Sequence, residues 1–386
     1  MQNKSVILKE LEELLSGKTL KPLSGIPKKC YKYSLTAVFI NLCFGRQLTQ
    51  GQEVNFNYLY SIKNRPQNFN KPEILDDIKQ TVEDSLALGS FHNINNYQTI
   101  DLIIEFFREL VLKTKKDGTF LVTVSEIQKL LDVKTVFNAT HNNVKSHHWI
   151  EIDIMNGMIL TVPEFFTYVD VVNSWNMLID KLDEYNFSMD DNSIPLIERK
   201  NNPENRKLKY EIDTLSRTLC ISAVTFTESY LYYLFYNLKQ NVFQAKSDAG
   251  KSILKLQKVE DEEILQRLVL PEFFDNKDNE LSRLIKKYSN VNKIRNRFIH
   301  TSAFLGKSNS SELLPLITTS INDIVEYLEV CIGLARKIDG QLPEEFQILV
   351  WWDRITHPEF KDFKKGNPIN QNSRQAKIKY TEDYLF

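Results

Sequence analysis

Residues 281–300 read LSRLIKKYSNVNKIRNRFIH, and this stretch organises the reading of the whole chain. Leu281, Leu284, Tyr288, Val291, Ile294 and Phe298 recur at intervals of three and four, the apolar stripe of an amphipathic helix. Between Glu280 and Glu312 there is no acidic residue, yet the interval carries Arg283, Lys286, Lys287, Lys293, Arg295, Arg297 and Lys307. The chain as a whole is nearly neutral, with 49 Lys and Arg against 50 Asp and Glu, so the excess is local. Such an excess suits a phosphate-bearing partner. The competing reading is a solvated helix face, balanced in space by the acidic runs Glu260–Glu263 and Asp275–Glu280.

Working outward, helical periodicity also marks Tyr210–Gln240, Ser252–Phe274 and Leu313–Lys337, so residues 206–341 read as a four-helix domain. Before it, the polar, Pro-containing stretch 187–205 reads as a linker. Residues 342–386 read as a C-terminal extension with a hydrophilic tail, and residues 1–96 as a helical region whose segment 18–70 shows no assignable period. With only 12 Gly and 12 Pro in 386 residues, the expected class is mainly α, with an α+β region preceding the helical bundle.

That α+β region is residues 97–186. A helix pattern (TIDLIIEFFRELVLKT) precedes a short strand FLVTV, two short helix-like segments, and the runs WIEIDI and MILTV joined at Asn156-Gly157. Asn-Gly suits a type I′ hairpin, in which both turn residues take positive φ. The order resembles a winged-helix module over about 97–162, and the resemblance implies that Lys134, Asn138, His141, Asn142 and Lys145 face a groove or partner. A packing or dimerisation module is the alternative. His147 and His148 are expected at the surface or the base of the wing, and Trp351-Trp352 in packing of the C-terminal segment.

Composition narrows the functional classes. Hydrophobic residues make up 42% and charged residues 26%, the profile of a folded soluble protein. Cys30, Cys43, Cys220 and Cys331 stand singly, with no C-x-x-C pair, so neither a zinc ribbon nor a disulfide scaffold is expected. The opening MQNKSVILKELEELL lacks a signal-peptide core, and no run approaches the roughly 18 apolar residues of a membrane span. A cytoplasmic protein without membrane partners is expected. The phosphate-loop, dinucleotide, zinc-protease and serine-hydrolase motifs are all absent, and no metal or other cofactor is expected.

Chemistry concentrates at the end of the opening stretch, R-N-R-F-I-H. At 100° per residue Asn296 and His300 lie 40° apart, so the amide is placed to orient the imidazole. Arg295 falls instead within the apolar arc, where a guanidinium needs a carboxylate, a phosphate or an interface. Glu228, in the nearly all-apolar stretch 219–238 (LCISAVTFTESYLYYLFYNL), is the candidate carboxylate. On an ideal helix Arg295 and His300 are 140° apart, so both reach one phosphate only if the helix ends before His300 or if two subunits contribute.

Arg295-Asn296 followed by His300, near the end of the third helix of a four-helix unit, resembles the HEPN superfamily, many of whose members are metal-independent ribonucleases. The resemblance covers about 206–341. It implies an endoribonuclease in which Arg295, Asn296, His300 and Glu228 form the catalytic set, with Lys293, Arg297, Lys286 and Lys287 guiding the strand. It further implies a homodimer with a composite site, RNA as partner, an antitoxin or regulatory partner, and a role as a toxin or anti-phage effector. RNA carries its own nucleophile, the 2′-OH; an imidazole can take or give the proton and a guanidinium fork can hold the phosphate. The alternative is a non-catalytic HEPN-like module that binds RNA or a nucleotide, or assembles a complex.

Overall fold

The computed structural model describes residues 4–44, 56–92, 97–113, 119–137, 144–153, 157–274, 279–300, 315 and 318–360. The protein is mainly helical, with one small sheet among the described residues, and divides into two units at Thr161–Val162.

The N-terminal unit is built around a helix that the sequence hides. Helices α1 (Lys4–Leu14), α2 (Gly25–Phe44), α3 (Phe56–Asn64), α4 (Pro72–Leu88) and α5 (Tyr97–Lys113) share one core. Within α2, ten of the eleven residues from Cys30 to Ile40 are buried, Ser34 and Thr36 included. A helix covered on every side has no amphipathic period, which is why this part of 18–70 resists assignment. Phe39 stacks on Phe107 of α5 at 4.1 Å, and the Tyr31 hydroxyl donates to the Leu14 carbonyl at 2.9 Å.

Strands β1 (Thr119–Thr123), β2 (Trp149–Asp153) and β3 (Gly157–Thr161) form an antiparallel sheet in that order. Phe120 lies opposite Ile152 and Val122 opposite Ile150, all four buried, while Leu121 points outward. Gly157 has φ +83° but pairs with Asp153 as the first residue of β3. The connection is therefore the three residues 154–156, outside the described set, and not a two-residue Asn156-Gly157 turn. Between β1 and β2 lie one-turn helices α6 (Val124–Ile127) and α7 (Val133–Val136). Of the five residues expected to face a groove, Lys134 is exposed and Lys145 is buried; Asn138, His141 and Asn142 fall outside the described residues. His147 and His148 are fully buried, contrary to the surface expectation. Their rings meet edge-on at 4.5 Å, and His148 Nδ1 accepts the Lys145 N–H at 3.2 Å.

The C-terminal unit starts earlier than the sequence implies. Helix α8 (Pro163–Met189) packs along α9 (Pro203–Gln240), so it belongs with the helical bundle and not with the sheet. The stretch 187–205, expected as a linker, is mostly helical. Between α8 and α9 stands a short helix, Leu196–Asn201, tied down by Asn205, whose amide donates to the Arg199 carbonyl at 2.8 Å. The expected helix 252–274 is broken into Asp248–Ile253, α10 (Asp261–Ile264), a π-helical turn Leu265–Val269 and Leu270–Phe273. Pro271, which has no N–H to continue an α-helical ladder, stands two residues after the π turn. Helices α11 (Asn279–Ile299) and α12 (Ile321–Asp339) complete the bundle, with α9 between α8 and the other two. Trp351 is buried against Phe165 and Tyr168, and Trp352 is stacked on His357 at 3.9 Å, so both tryptophans serve packing.

Candidate active site

Helix α11 has two working sides, and each binds its charge differently. On the inner side, Arg295 donates from Nη2 to Glu228 of α9, as an ion pair with 14% and 25% side-chain exposure. Burial pushes the Glu228 carboxyl above its usual range, with the Arg295 charge pulling the other way. One turn back on α11, Asn292 donates to Asp261 at the start of α10 at 3.0 Å, and the Tyr288 hydroxyl donates to the same oxygen at 2.7 Å. Ser289 donates to Glu262 at 2.6 Å. Sequence reasoning missed this network. Its signal was Tyr288 and Asn292, four residues apart on one helix face, opposite an acidic run.

The acidic run Glu260–Glu263 therefore engages hydroxyls and an amide of α11, and Glu263 pairs with Arg267 at 2.9 Å. It does not balance the lysines. Of the basic residues on α11, Lys287 meets Glu326 of α12 at 2.8 Å and Arg295 meets Glu228. Arg283, Lys286, Lys293 and Arg297 have no carboxylate partner among the described residues. Lys307 lies outside them.

On the outer side, Lys286, Asn290, Lys293, Arg297 and His300 succeed one another by four, three, four and three residues, so they share one face. All are exposed except Arg297, which is half-buried, and Arg283 extends the row by one turn. At 1.5 Å per residue the row from Arg283 to His300 runs about 25 Å. The last helical residue is Ile299, and the His300 N–H closes the final turn on the Asn296 carbonyl at 2.9 Å.

The expected catalytic set is thus split by the helix. Asn296 and His300 are both exposed on the outer side, but among the described residues no side-chain bond joins them, so the Asn296 amide does not hold the imidazole. Arg295 is turned inward to Glu228, and the guanidinium on the His300 side is Arg297, three residues before it. Cys30, Cys220 and Cys331 are buried free thiols. Among the described residues no helix is long and apolar enough to cross a membrane. No family model matches this chain, and no curated protein and no solved structure matches it either.

Proposed function

We propose that the C-terminal unit is a metal-independent endoribonuclease of HEPN type, acting as a toxin or anti-phage effector and working as a homodimer. The observation that carries the reading is the row Lys286–Lys293–Arg297–His300: two exposed lysines and a half-buried arginine without carboxylate partners among the described residues, ending in an exposed imidazole. Lys286, Lys293 and Arg283 hold successive phosphates of a single strand, an interaction that carries no sequence preference of its own. Arg297 takes the phosphate-clamp role, because Arg295 is committed to Glu228. Arg295 and Glu228 position the inner side of α11 and do not touch substrate.

In the reaction the 2′-oxygen bonds to phosphorus as the bond from phosphorus to the 5′-oxygen breaks. His300 takes the proton from the 2′-OH, and the leaving 5′-oxygen receives one from water or from the second copy's imidazole. The products are a 2′,3′-cyclic phosphate and a 5′-OH. Arg297 offsets the charge that grows on the phosphoryl oxygens.

A second reading is favoured by one observation, the missing bond between Asn296 and His300: the face binds RNA without cutting it. Incubating the full chain with total RNA in EDTA separates the two. Cleavage that persists in chelator, leaves cyclic phosphate ends and is lost in His300→Ala supports the nuclease. Retention of RNA without cleavage, weakened by Lys293→Ala and Arg297→Ala, supports the second reading.

A further inference from the structure

Helices α8 and α9, of 27 and 38 residues, outrun the other described helices of the bundle. They lie antiparallel, with Lys181 paired to Glu211 at 3.2 Å and the Tyr168 ring 5.3 Å from that of Phe226. Helix α12 follows α9 in the same direction: Ser216 and Ser320 line one cavity, and Asn237 donates to the Phe346 carbonyl, just past the end of α12, at 3.3 Å. Residues 203–215 of α9 therefore run about 20 Å beyond the start of α12, at 1.5 Å per residue, with the last turns of α8 beside them. The result is a two-helix arm held together by buried Leu178, Ile179, Leu182 and Ile212.

A groove of about 670 Å³ runs along this arm, lined only by α8 and α9 among the described residues. Pro203, Arg206, Tyr210 and Thr214 recur along it by threes and fours, over about 17 Å of α9. Met177 and Tyr210 line it with 57% and 66% of their surface exposed, and Phe187 (84%), Leu196 and Ile197 stand exposed at the tip of the arm. Single exposed apolar side chains are ordinary, but a gathering of them marks an interaction surface. The charges around the groove are balanced. Lys181 meets Glu184 at 2.8 Å as well as Glu211, Lys207 meets Glu211 at 3.8 Å, and Lys209 meets Asp213 at 2.6 Å.

We propose that this arm docks on the same arm of a second copy, the two hairpins packing as a four-helix bundle about a two-fold axis. Three observations select that occupant. A two-fold interface sets one patch against itself and so needs both signs of charge on one face, which Lys181, Lys207, Glu184 and Glu211 provide; a strongly acidic or basic partner would meet like charge. Two helical hairpins joined by their apolar sides make the four-helix arrangement, which buries what a two-helix arm leaves open. The exposed side chains of Met177, Phe187, Leu196, Ile197 and Tyr210 offer on the order of 500 Å², and the charged rim supplies the remainder of the roughly 800 Å² per partner in a standard interface. The contact gives a face to the homodimer of the function proposed above; it rests on that reading for its role in cleavage, not for its existence.

Size-exclusion chromatography with light scattering on the full chain, over about 1–100 μM, is expected to show a dimer. Tyr210→Glu and Met177→Glu are each expected to raise its dissociation constant about a hundredfold, because a central interface residue is then lost twice across the two-fold axis. Leu102→Glu, at a residue 60% exposed on α5, is the control and leaves the dimer intact. Both target side chains are exposed, so the variants keep the circular dichroism of the wild type. In the wild type itself, hydrogen exchange over 177–187 and 203–214 should slow as concentration rises. A wild type that stays monomeric, exchange that ignores concentration, or a dimer equally tight in Tyr210→Glu overturns the proposal, even if the protein cleaves RNA or the arm captures another protein. A dimer lost in both variants of a protein that cuts no RNA upholds the interface and removes the nuclease reading instead.

Discussion

Replacing Arg295 by Met asks whether this residue belongs to the architecture or to the chemistry. The variant leaves the Glu228 carboxylate three-quarters buried without its guanidinium. Removing one partner of a buried ion pair costs about 3–5 kcal/mol. Because a quarter of Glu228 reaches solvent, the lower end applies, about 3 kcal/mol at pH 8. Glu228→Leu combined with Arg295→Met removes both charges and should return to within about 1 kcal/mol of the wild type. The pH dependence carries its own sign. Burial already holds the folded-state Glu228 carboxyl above its unfolded value, so its contribution favours folding at acid pH and declines as pH rises through the folded value. Without Arg295 that value rises further, so the deficit of the single variant shrinks on acidification, by at most about 1.4 kcal/mol per pH unit. Urea unfolding at pH 8 and pH 5, followed by Trp fluorescence, reads this directly. Trp175, Trp351 and Trp352 all report on the C-terminal unit, and a Trp149→Phe background removes the fourth. A single-variant loss below about 0.5 kcal/mol, the size of an ordinary surface change, or a loss equal at both pH values, would refute the structural role and return Arg295 to the candidate phosphate ligands.

Three further outcomes follow from the same unit. Burial lifts the Asp339 carboxyl to about 6, against the pull of the Ile348 and Leu349 N–H groups, so stability present below about pH 4 should be lost as pH rises through 6. The loss is about 3 kcal/mol, and pH-dependent denaturation of Asp339→Asn should lack it. Tyr288→Phe strands one bond to the buried Asp261 and should cost about 1–3 kcal/mol in chemical denaturation, with RNA retention unchanged. Gly333→Ala adds a Cβ that meets nothing within 4 Å and should stabilise α12 by about 0.5–1 kcal/mol, whereas a Cβ at Gly250 strikes the Glu272 carboxylate and should destabilise; thermal melts of the two variants should move in opposite directions.

What could be read from residues alone follows a physical rule. Helix α11 was legible because one side is apolar and the other charged, and the angular position of Arg295 within the apolar arc called for a carboxylate, a phosphate or an interface, of which the structure supplies the carboxylate of Glu228. Helix α2 was not, because burial all round erases its period. Helix α8 reads from sequence as part of the α+β half because the polar stretch after Met189 looks like a tether; the stretch is held by Asn205 and Arg199 binding backbone carbonyls six and ten residues away, bonds that leave no apolar period. The π turn Leu265–Val269 lies hidden in an apolar run, with Pro271 two residues beyond it as the one visible interruption.

The division of α11 also explains why an Arg-Asn motif at this site separates from its histidine. Arg295 and His300 are five residues apart, 140° around an ideal helix, so a straight α11 cannot deliver both to one side. The helix stays regular to Ile299, and the ion pair with Glu228 fixes which side Arg295 takes. Three residues before His300 the turn is nearly complete, and the side chain there is Arg297, a second guanidinium without a carboxylate partner among the described residues. The inner arginine pins the helix so that the outer one and the imidazole share an open face. Exchanging Arg297 for Lys keeps the charge but removes the planar fork, so it should depress RNA cleavage more than RNA retention. Equal loss of both would mean that this face only holds the strand.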